Sequence, residues 1–347
     1  MIPDPQQRVA KSGGLLPKLR AASIAVSAAM ALGLLVWATL LSSPSNPTPS
    51  LFVVERGAAF RGIARDLQAQ GLLRSALAFE LLALAKSTRA DLRSGEYEFT
   101  GSEAATEVLD KLVAGSVKTY SLTLVEGWTL QQTLNALWAR DEIERTLSGA
   151  EDPALARFAL GQPKLLEGSF APNTYRYARG DTDVDILRQA SALLRADLET
   201  AWEAREPNSP LQTPYEALIL ASIVEKETGL SSERHRVAGV FINRLAIGMR
   251  LQSDPTTIYG LGEDYEGPLT SDQLRKETPY NTYRIDGLPP TPIAMPGRAA
   301  LQAVLHPEHH DFLYFVADGM GGHVFSVTLT EHNAAVENYR ATLTHEQ

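Results

Sequence analysis

The chain has 347 residues, which is enough for two folded units with additional segments. Its formal net charge of -9 argues against a nucleic-acid partner, because proteins that bind nucleic acids usually present a basic face. It contains no cysteine, so disulfides and thiolate metal sites are excluded.

The first predicted element is a transmembrane helix over residues 21–41, a stretch without a charge that is long enough to cross a bilayer. Four basic residues precede it against the single acid Asp4: Arg8, Lys11, Lys18 and Arg20. This excess of positive charge predicts a cytoplasmic tail over residues 1–20, with the C-terminal domains on the periplasmic or external face of the cytoplasmic membrane. A cleaved signal peptide is the alternative, but the apolar stretch is long for one and no clean A-x-A site follows it.

Residues 42–50, SSPSNPTPS, predict a linker that its prolines keep semi-extended. The next unit, residues 51–125, mixes short strands with amphipathic helices. The predicted elements are a strand over Leu51–Val54, a helix ending at Gly71, a helix capped by Ser75, a strand around Tyr97 and Phe99, a helix capped by Ser102 and ending at Gly115, and a strand through Tyr120, Leu122 and Leu124. This unit resembles the LysM type of peptidoglycan-binding module, and an ordinary small α+β domain is the alternative.

Residues 126–208 are predicted to be mainly helical, with Leu130, Leu134 and Leu137 on one face. Glycine and proline interrupt the pattern in the loop 167–175. Its aromatic residue Phe170, together with Tyr175 and Tyr177, either stacks on sugar faces or fills the core.

The most complete helix signal covers residues 213–229. Thr213 and Glu216 form a capping box and Gly229 is the predicted stop. Glu227 falls on the apolar stripe of this helix, whereas Glu225 does not. Apolar surroundings and the negative end of the helix dipole both disfavour the carboxylate, so we expect a raised pKa at Glu227 and a role as a proton donor. A solvated helix end is the alternative.

Beyond this helix, Ser231 or Ser232 is the predicted cap of a second helix that ends at Gly248. Three loops rich in Pro, Asn, Asp, Tyr and Gly follow, over residues 249–257, 279–283 and 287–297. Strands over 313–317 and 323–329 predict a β-hairpin. The histidines of residues 306–311 lack the spacing of metal ligands, so we interpret them as a solvated loop and expect neither metal nor cofactor.

Six motifs occur in order along this part of the chain: ASIVEKET over 221–228, FINRL over 241–245, LQSDPT over 251–256, YNTY over 280–283, GLPP over 287–290 and FVAD over 315–318. With them, the chain resembles the membrane-anchored endolytic murein transglycosylases. The resemblance implies an α+β architecture, with one transmembrane helix, a small LysM-like subdomain and a mainly helical, lysozyme-like catalytic domain over 126–345. One departure is Asn173, where the family loop usually has Asp.

The resemblance also implies a reaction, in which the β-1,4 bond between N-acetylmuramic acid and N-acetylglucosamine is cleaved inside a glycan strand to leave a 1,6-anhydro end. It assigns catalysis to Glu227. It indicates substrate contacts or supporting residues at Asn243, Gln252, Asp254, Tyr280, Asn281 and Tyr283. The implied partners are peptidoglycan strands, the membrane and, as candidates, peptidoglycan synthases.

Two alternatives stay open. Asp254 is the candidate second carboxylate of a hydrolase, although a helix N-cap is its more ordinary role. The whole chain is alternatively a non-catalytic anchored module that binds glycan and recruits synthesis proteins.

Overall fold

The computed structural model of the protein describes residues 15–43, 49–161, 166–262 and 265–345. The chain divides into two compact units, residues 1–118 and 119–347. Helices and short antiparallel strand pairs alternate in both, so the predicted α+β class is confirmed.

The first element, α1, spans Leu15–Leu41, and its apolar side chains are largely exposed. Its segment Lys18–Leu41 has 24 residues with a mean hydropathy of 2.2, so length and composition suffice to cross a membrane. The predicted basic residues Arg8 and Lys11 and the linker residues 44–48 lie outside the described residues.

The first unit continues with β1 (Ser50–Val54), α2 (Phe60–Ala69), α3 (Ala76–Ala85), β2 (Gly95–Phe99) and α4 (Ala105–Ala114). Strands β1 and β2 pair antiparallel, with Phe52 opposite Tyr97, and both side chains face a core shared with the helices. Ser75 caps α3 as predicted. The predicted cap Ser102 is wrong, because α4 begins after Ala104, whose N–H donates to the Glu107 carboxylate (2.7 Å). The likeness to LysM stays a prediction.

The second unit begins with β3 (Thr119–Thr123), α5 (Leu130–Trp138), a short 3-10 helix (Pro153–Phe158), β4 (Thr174–Ala178) and α6 (Asp183–Glu203). Strand β3 pairs antiparallel with β4. Phe170, Tyr175 and Tyr177 are buried in the core beneath this pair. The suggestion that these rings stack on sugars is therefore wrong, and the alternative, that they fill the core, holds.

A second core surrounds α7 (Pro214–Glu227), α8 (Arg234–Ala246) and α11 (Arg298–Leu305). Between α8 and α11 lie α9 (Asp254–Leu261) and α10 (Ser271–Arg275). The hairpin of β5 (Tyr314–Ala317) and β6 (His323–Ser326) is confirmed, but β6 is shorter than predicted, because a final helix, α12 (Leu329–His345), begins at Leu329.

Helix α7 is the central element of this core, because residues 217–224 are buried on every face. Its capping box of Thr213 and Glu216 is confirmed. The predicted stop at Gly229 is wrong, since the helix already ends at Glu227 and Thr228 is in an extended conformation. Glu227 is therefore the last residue of a helix that the surrounding core holds in place.

Helix α8 begins later than predicted. Its N-cap is Glu233, not Ser231 or Ser232, which lie in the preceding turn. The Glu233 carboxylate contacts the His323 ring (2.8 Å) and so ties this helix start to the hairpin. At the other end, Gly248 takes a left-handed φ of 70° just after the helix, as its predicted terminating role requires.

Candidate active site

The C-terminal end of α7 opens into a cavity of about 280 Å³, which we call the acid pocket. Its lining residues come from α7, α8, the loop before α9, the start of α9, the loop before α11, the hairpin and α12: Glu227, Arg244, Gln252, Asp254, Tyr283, Tyr314, Phe315, Leu329 and His332. A larger cavity, of about 580 Å³, lies at the opposite end of α7, but its one carboxyl, Glu216, is occupied by the capping box. The acid pocket therefore has the chemistry of a candidate active site.

Glu227 is partly exposed by surface area, yet its carboxyl group is enclosed by protein. Burial raises its pKa from 4.5 to about 7, and the neighbouring Asp254 charge acts in the same direction. The Ser253 hydroxyl, which donates to Oε1 over 2.5 Å, and the Arg244 charge both oppose this rise. The pKa of Glu227 is therefore raised, as the sequence predicted. The negative charge that contributes to this rise is the Asp254 carboxylate, whereas the prediction was based on the helix dipole.

The side chain of Glu225 is only 7% exposed, so its place on the helix surface does not by itself distinguish it from Glu227 on a helix surrounded by core. Its Oε2 accepts the N–H of Gly297 (2.9 Å), and its Oε1 lies 3.8 Å from the Arg234 guanidinium. Burial raises the pKa of Glu225 as well. The two residues differ in their surroundings: Glu225 anchors the loop before α11, whereas Glu227 faces the acid pocket.

Arg244 is a pocket residue that the sequence analysis missed. It is buried, and its Nε and Nη1 donate to the carbonyls of Leu313 (2.6 Å) and Leu251 (2.5 Å). These bonds hold a positive charge near Glu227 while joining α8 to two loops. A signal was available, because Arg244 continues the helical spacing of the buried residues Val240 and Phe241, just as Glu227 continues an apolar stripe.

The turn before α9 depends on Gln252, whose φ of 51° is unusual for a residue other than glycine. Its N–H donates to the Thr282 carbonyl (3.2 Å), and the next N–H, of Ser253, donates to the Thr282 hydroxyl (2.9 Å). Ser253 is thereby buried against Glu227, while the Gln252 side chain stays exposed at the pocket rim. The left-handed conformation of Gln252 thus positions the Ser253 hydroxyl that contacts the Glu227 carboxyl.

Asp254 is not the N-cap that we predicted. Ser253 holds that position and Asp254 is the first residue of α9. Its exposed carboxylate accepts a hydrogen bond from the Tyr283 hydroxyl (2.7 Å). The pocket thus contains two carboxyls in different surroundings, Glu227 enclosed and Asp254 exposed.

Three predicted residues lie behind the pocket. The buried Asn281 amide donates to two backbone carbonyls and accepts the Tyr283 N–H (3.0 Å), which fixes the loop carrying Tyr283. The Tyr280 hydroxyl bonds to Thr291 (2.9 Å). Asn243 donates to the carbonyls of residues 310 and 312 ahead of β5. Asn243, Tyr280 and Asn281 thus hold the loops that form the walls of the pocket.

The far wall is formed by the hairpin and α12. Tyr314 stacks on His332, with ring centroids 5.2 Å apart, and Phe315 and Leu329 complete this side. The His332 Nδ1 is buried and has no hydrogen-bond partner among the described residues. Burial and the nearby Arg244 lower its pKa, so the ring is neutral near pH 7. No motif in the sequence indicated α12 as part of the site.

The histidines of residues 306–311 do not converge on a common point. His310 bonds to the backbone of Arg236 (3.0 Å), and His309 contacts Glu206 (3.0 Å). Across the described ranges, no group of three or more His, Asp or Glu side chains is arranged to hold a metal ion.

Comparison with known proteins gives a consistent family assignment. A sequence model of the YceG-like family matches residues 52–338. A Bacillus subtilis protein named endolytic murein transglycosylase is 30% identical over 304 residues, which cover 82% of this chain and 83% of that protein. A Streptococcus pneumoniae protein of the same name is 28% identical over 304 residues, but the matched region is only 55% of its length. A crystal structure of a YceG-like protein from Listeria monocytogenes, 27% identical, covers 83% of this chain and 99% of its own with a TM-score of 0.46.

Proposed function

The chain belongs to the YceG-like family, and from this membership and the acid pocket we propose that it is an endolytic lytic transglycosylase, a lyase acting on peptidoglycan. It cleaves the β-1,4 bond between N-acetylmuramic acid and N-acetylglucosamine within a glycan strand and leaves a 1,6-anhydromuramoyl end. We place its role in terminating or trimming strands during cell-wall synthesis.

The observation that carries this proposal is the enclosed carboxyl of Glu227. Its pKa of about 7 keeps a large fraction of the group protonated near neutral pH, as a general acid requires. The Ser253 hydroxyl limits this rise and stabilises the carboxylate that remains after proton transfer. One group is thereby suited both to give and to take back a proton.

The proposed reaction needs no water. Glu227 donates its proton to the glycosidic oxygen as the bond from that oxygen to C1 of the muramoyl sugar breaks. The C6 hydroxyl of the same sugar then attacks C1, and its proton passes to the Glu227 carboxylate, which restores the starting state. Because the attacking hydroxyl is already tethered to the sugar, proximity supplies much of the acceleration.

Asp254 supports the developing positive charge at the sugar in this scheme. Its carboxylate is held by the Tyr283 hydroxyl at the pocket rim. A hydrolase would instead use such a second carboxylate as a base or a nucleophile. The two mechanisms leave different ends, because only hydrolysis produces a free reducing muramic acid.

We further propose that α1 anchors the protein in the cytoplasmic membrane, with the N-terminus in the cytoplasm and both folded units on the outer side. The support is the length and hydropathy of α1 together with the basic residues before it. Peptidoglycan strands are then reached from the membrane surface. Peptidoglycan synthases, which make strands at that surface, are the protein partners that we propose.

The test compares purified protein with its Glu227→Gln variant on isolated sacculi, with product ends identified by mass. We expect anhydro ends from the wild type and a rate lower by roughly 10²- to 10⁴-fold in the variant, which lacks the acidic proton. The matched control is Glu225→Gln, which makes the same change two residues away on α7 and should retain activity. Free reducing ends would favour the hydrolase, and no released product from the wild type would favour a binding module.

A further inference from the structure

Helix α3 presents an apolar face to its surroundings. Leu77, Leu81 and Leu84 are 67%, 43% and 54% exposed. Their spacing of four and then three residues places them on one side of the helix. The other described side chain exposed on α3 is that of Ala85.

The one charge of α3, Glu80, lies at the edge of this apolar face and is paired with Arg61 and Arg89. Glu80 is buried, and its carboxylate accepts a hydrogen bond from Arg61 (3.1 Å). Phe79 and Leu82 pack beside it in the core of the first unit. A helix on a water-exposed surface normally turns its polar residues outward and its apolar residues inward. The outer face of α3 therefore suits an apolar environment better than water.

The position of α3 indicates which environment that is. Leu41, the last residue of α1, packs against the core that contains Phe79. Arg74, two residues before α3, donates from Nε to the carbonyl of Ser43 (2.8 Å). The end of α1 and the start of α3 are thus in contact, so an α1 that spans the membrane brings α3 to its surface.

The charge of the two units favours the same arrangement. Residues 51–118 contain nine basic and nine acidic side chains, whereas residues 119–347 contain nineteen basic and thirty-one acidic ones. An anionic lipid surface repels the second unit and not the first. Arg74 and Lys86 flank α3, and both are exposed, although Lys86 also contacts Asp110 (2.7 Å). Basic residues at both ends of an apolar face suit a helix that lies at the level of lipid headgroups.

We propose that α3 docks in the interface of the membrane that α1 spans, with Leu77, Leu81 and Leu84 among the outer segments of the acyl chains. Arg74 and Lys86 then lie at the level of the phospholipid headgroups. This inference rests on the membrane anchoring proposed above. It gives the first unit a second contact with the membrane besides α1.

Because the chain has no cysteine, a single introduced thiol can be labelled without background. Full-length Leu81→Cys carries an environment-sensitive fluorophore and is reconstituted into vesicles of phosphatidylcholine and phosphatidylglycerol. Nitroxide groups on the headgroups or along the acyl chains of tracer lipids then quench the fluorophore according to its depth. The matched control is Val53→Cys, an exposed apolar position of β1 whose strand neighbours Phe52 and Val54 face the core, so residue 53 points away from α2 and α3.

A third probe, Leu32→Cys within α1, reports on the anchor itself. We expect quenching of residue 32 by acyl-chain nitroxides, quenching of residue 81 by nitroxides near the headgroups, and little quenching of residue 53. Quenching at 32 with none at 81 overturns the docking of α3 and leaves the anchor intact. Absence of quenching at 32 refutes the anchor instead. An apolar emission spectrum at 81 without lipid quenching means that a protein surface covers α3, which also overturns the proposal.

Discussion

Replacing Ser253 with alanine should raise the pKa of Glu227 and move the pH dependence of activity. The Ser253 hydroxyl donates to the Glu227 carboxyl and stabilises its charged form. A hydrogen bond to a charged group contributes about 1.5–3 kcal/mol, against about 0.5–1.5 kcal/mol for a neutral one. The difference of about 1–1.5 kcal/mol corresponds to about one pKa unit. Starting from about 7, the pKa of Glu227 should reach about 8.

A general acid must be protonated, so kcat/KM falls as pH rises through its pKa. The alkaline limb of the kcat/KM profile of Ser253→Ala should therefore lie about one pH unit higher than in the wild type. Asp254→Asn removes the negative charge that raises the same pKa, so it should shift the limb downward. The limb positions are measured from the release of anhydromuropeptides across pH, independently of the absolute rate.

The matched control is Ser222→Ala. Ser222 is also buried, but its hydroxyl donates to the Ile219 carbonyl and accepts the Ile293 N–H (2.9 Å), away from the acid pocket. This variant should lose stability without moving the limb. An unmoved or lowered limb in Ser253→Ala would refute our account of how the pKa of Glu227 is set.

Three further substitutions test the structure around the pocket. Burial raises the pKa of Glu167 from 4.5 to about 7, so its contribution to stability is full below about pH 4.5 and is lost as pH rises through 7. Glu167→Gln should therefore make Tm fall less between pH 5 and 8, because it removes a loss of at most about 3 kcal/mol in the free energy of unfolding. Asn281→Ala removes a buried amide that donates to the carbonyls of Leu274 and Lys276, and urea unfolding should show a loss of roughly 2–3 kcal/mol; an unchanged midpoint would contradict this role. Arg244→Lys replaces two separate donors, Nε and Nη1, by one ammonium nitrogen, so we expect a loss of roughly 1–3 kcal/mol in the same assay and a reduced kcat. Wild-type values of both the unfolding free energy and kcat would contradict this role of Arg244.

Local signals predicted two helix N-caps whose hydrogen-bond partners are close in sequence. Thr213 and Glu216 are three residues apart, as are Ser75 and Ala78, and both caps form as expected. The start of α8 was wrong because Glu233 is fixed by His323, a partner far along the chain. The start of α4 was missed for a different reason, because Ala104 has no capping side chain and the Glu107 carboxylate alone bonds to its N–H.

The acid pocket was likewise predicted in part. Glu227, Gln252, Asp254 and Tyr283 were indicated by family motifs, and all four line the acid pocket. The contact between Ser253 and Glu227 was not predicted, because it depends on a left-handed turn that joins segments 26 residues apart. Helical periodicity likewise could not rank Glu225 against Glu227, since it identifies a stripe only on a helix with an exposed side.

The far wall of the acid pocket, Tyr314, Phe315 and His332, is synthesised after every residue of the helical core around α7. A nascent chain that has folded α7 and α8 already holds Glu227 at the end of its helix, yet it has no opposite surface to grip a sugar or keep out water. Cleavage must therefore wait until the hairpin and α12 have emerged and docked. For an enzyme that cuts the wall of its own cell, this order of assembly delays activity until the last residue of the far wall, His332, has been made.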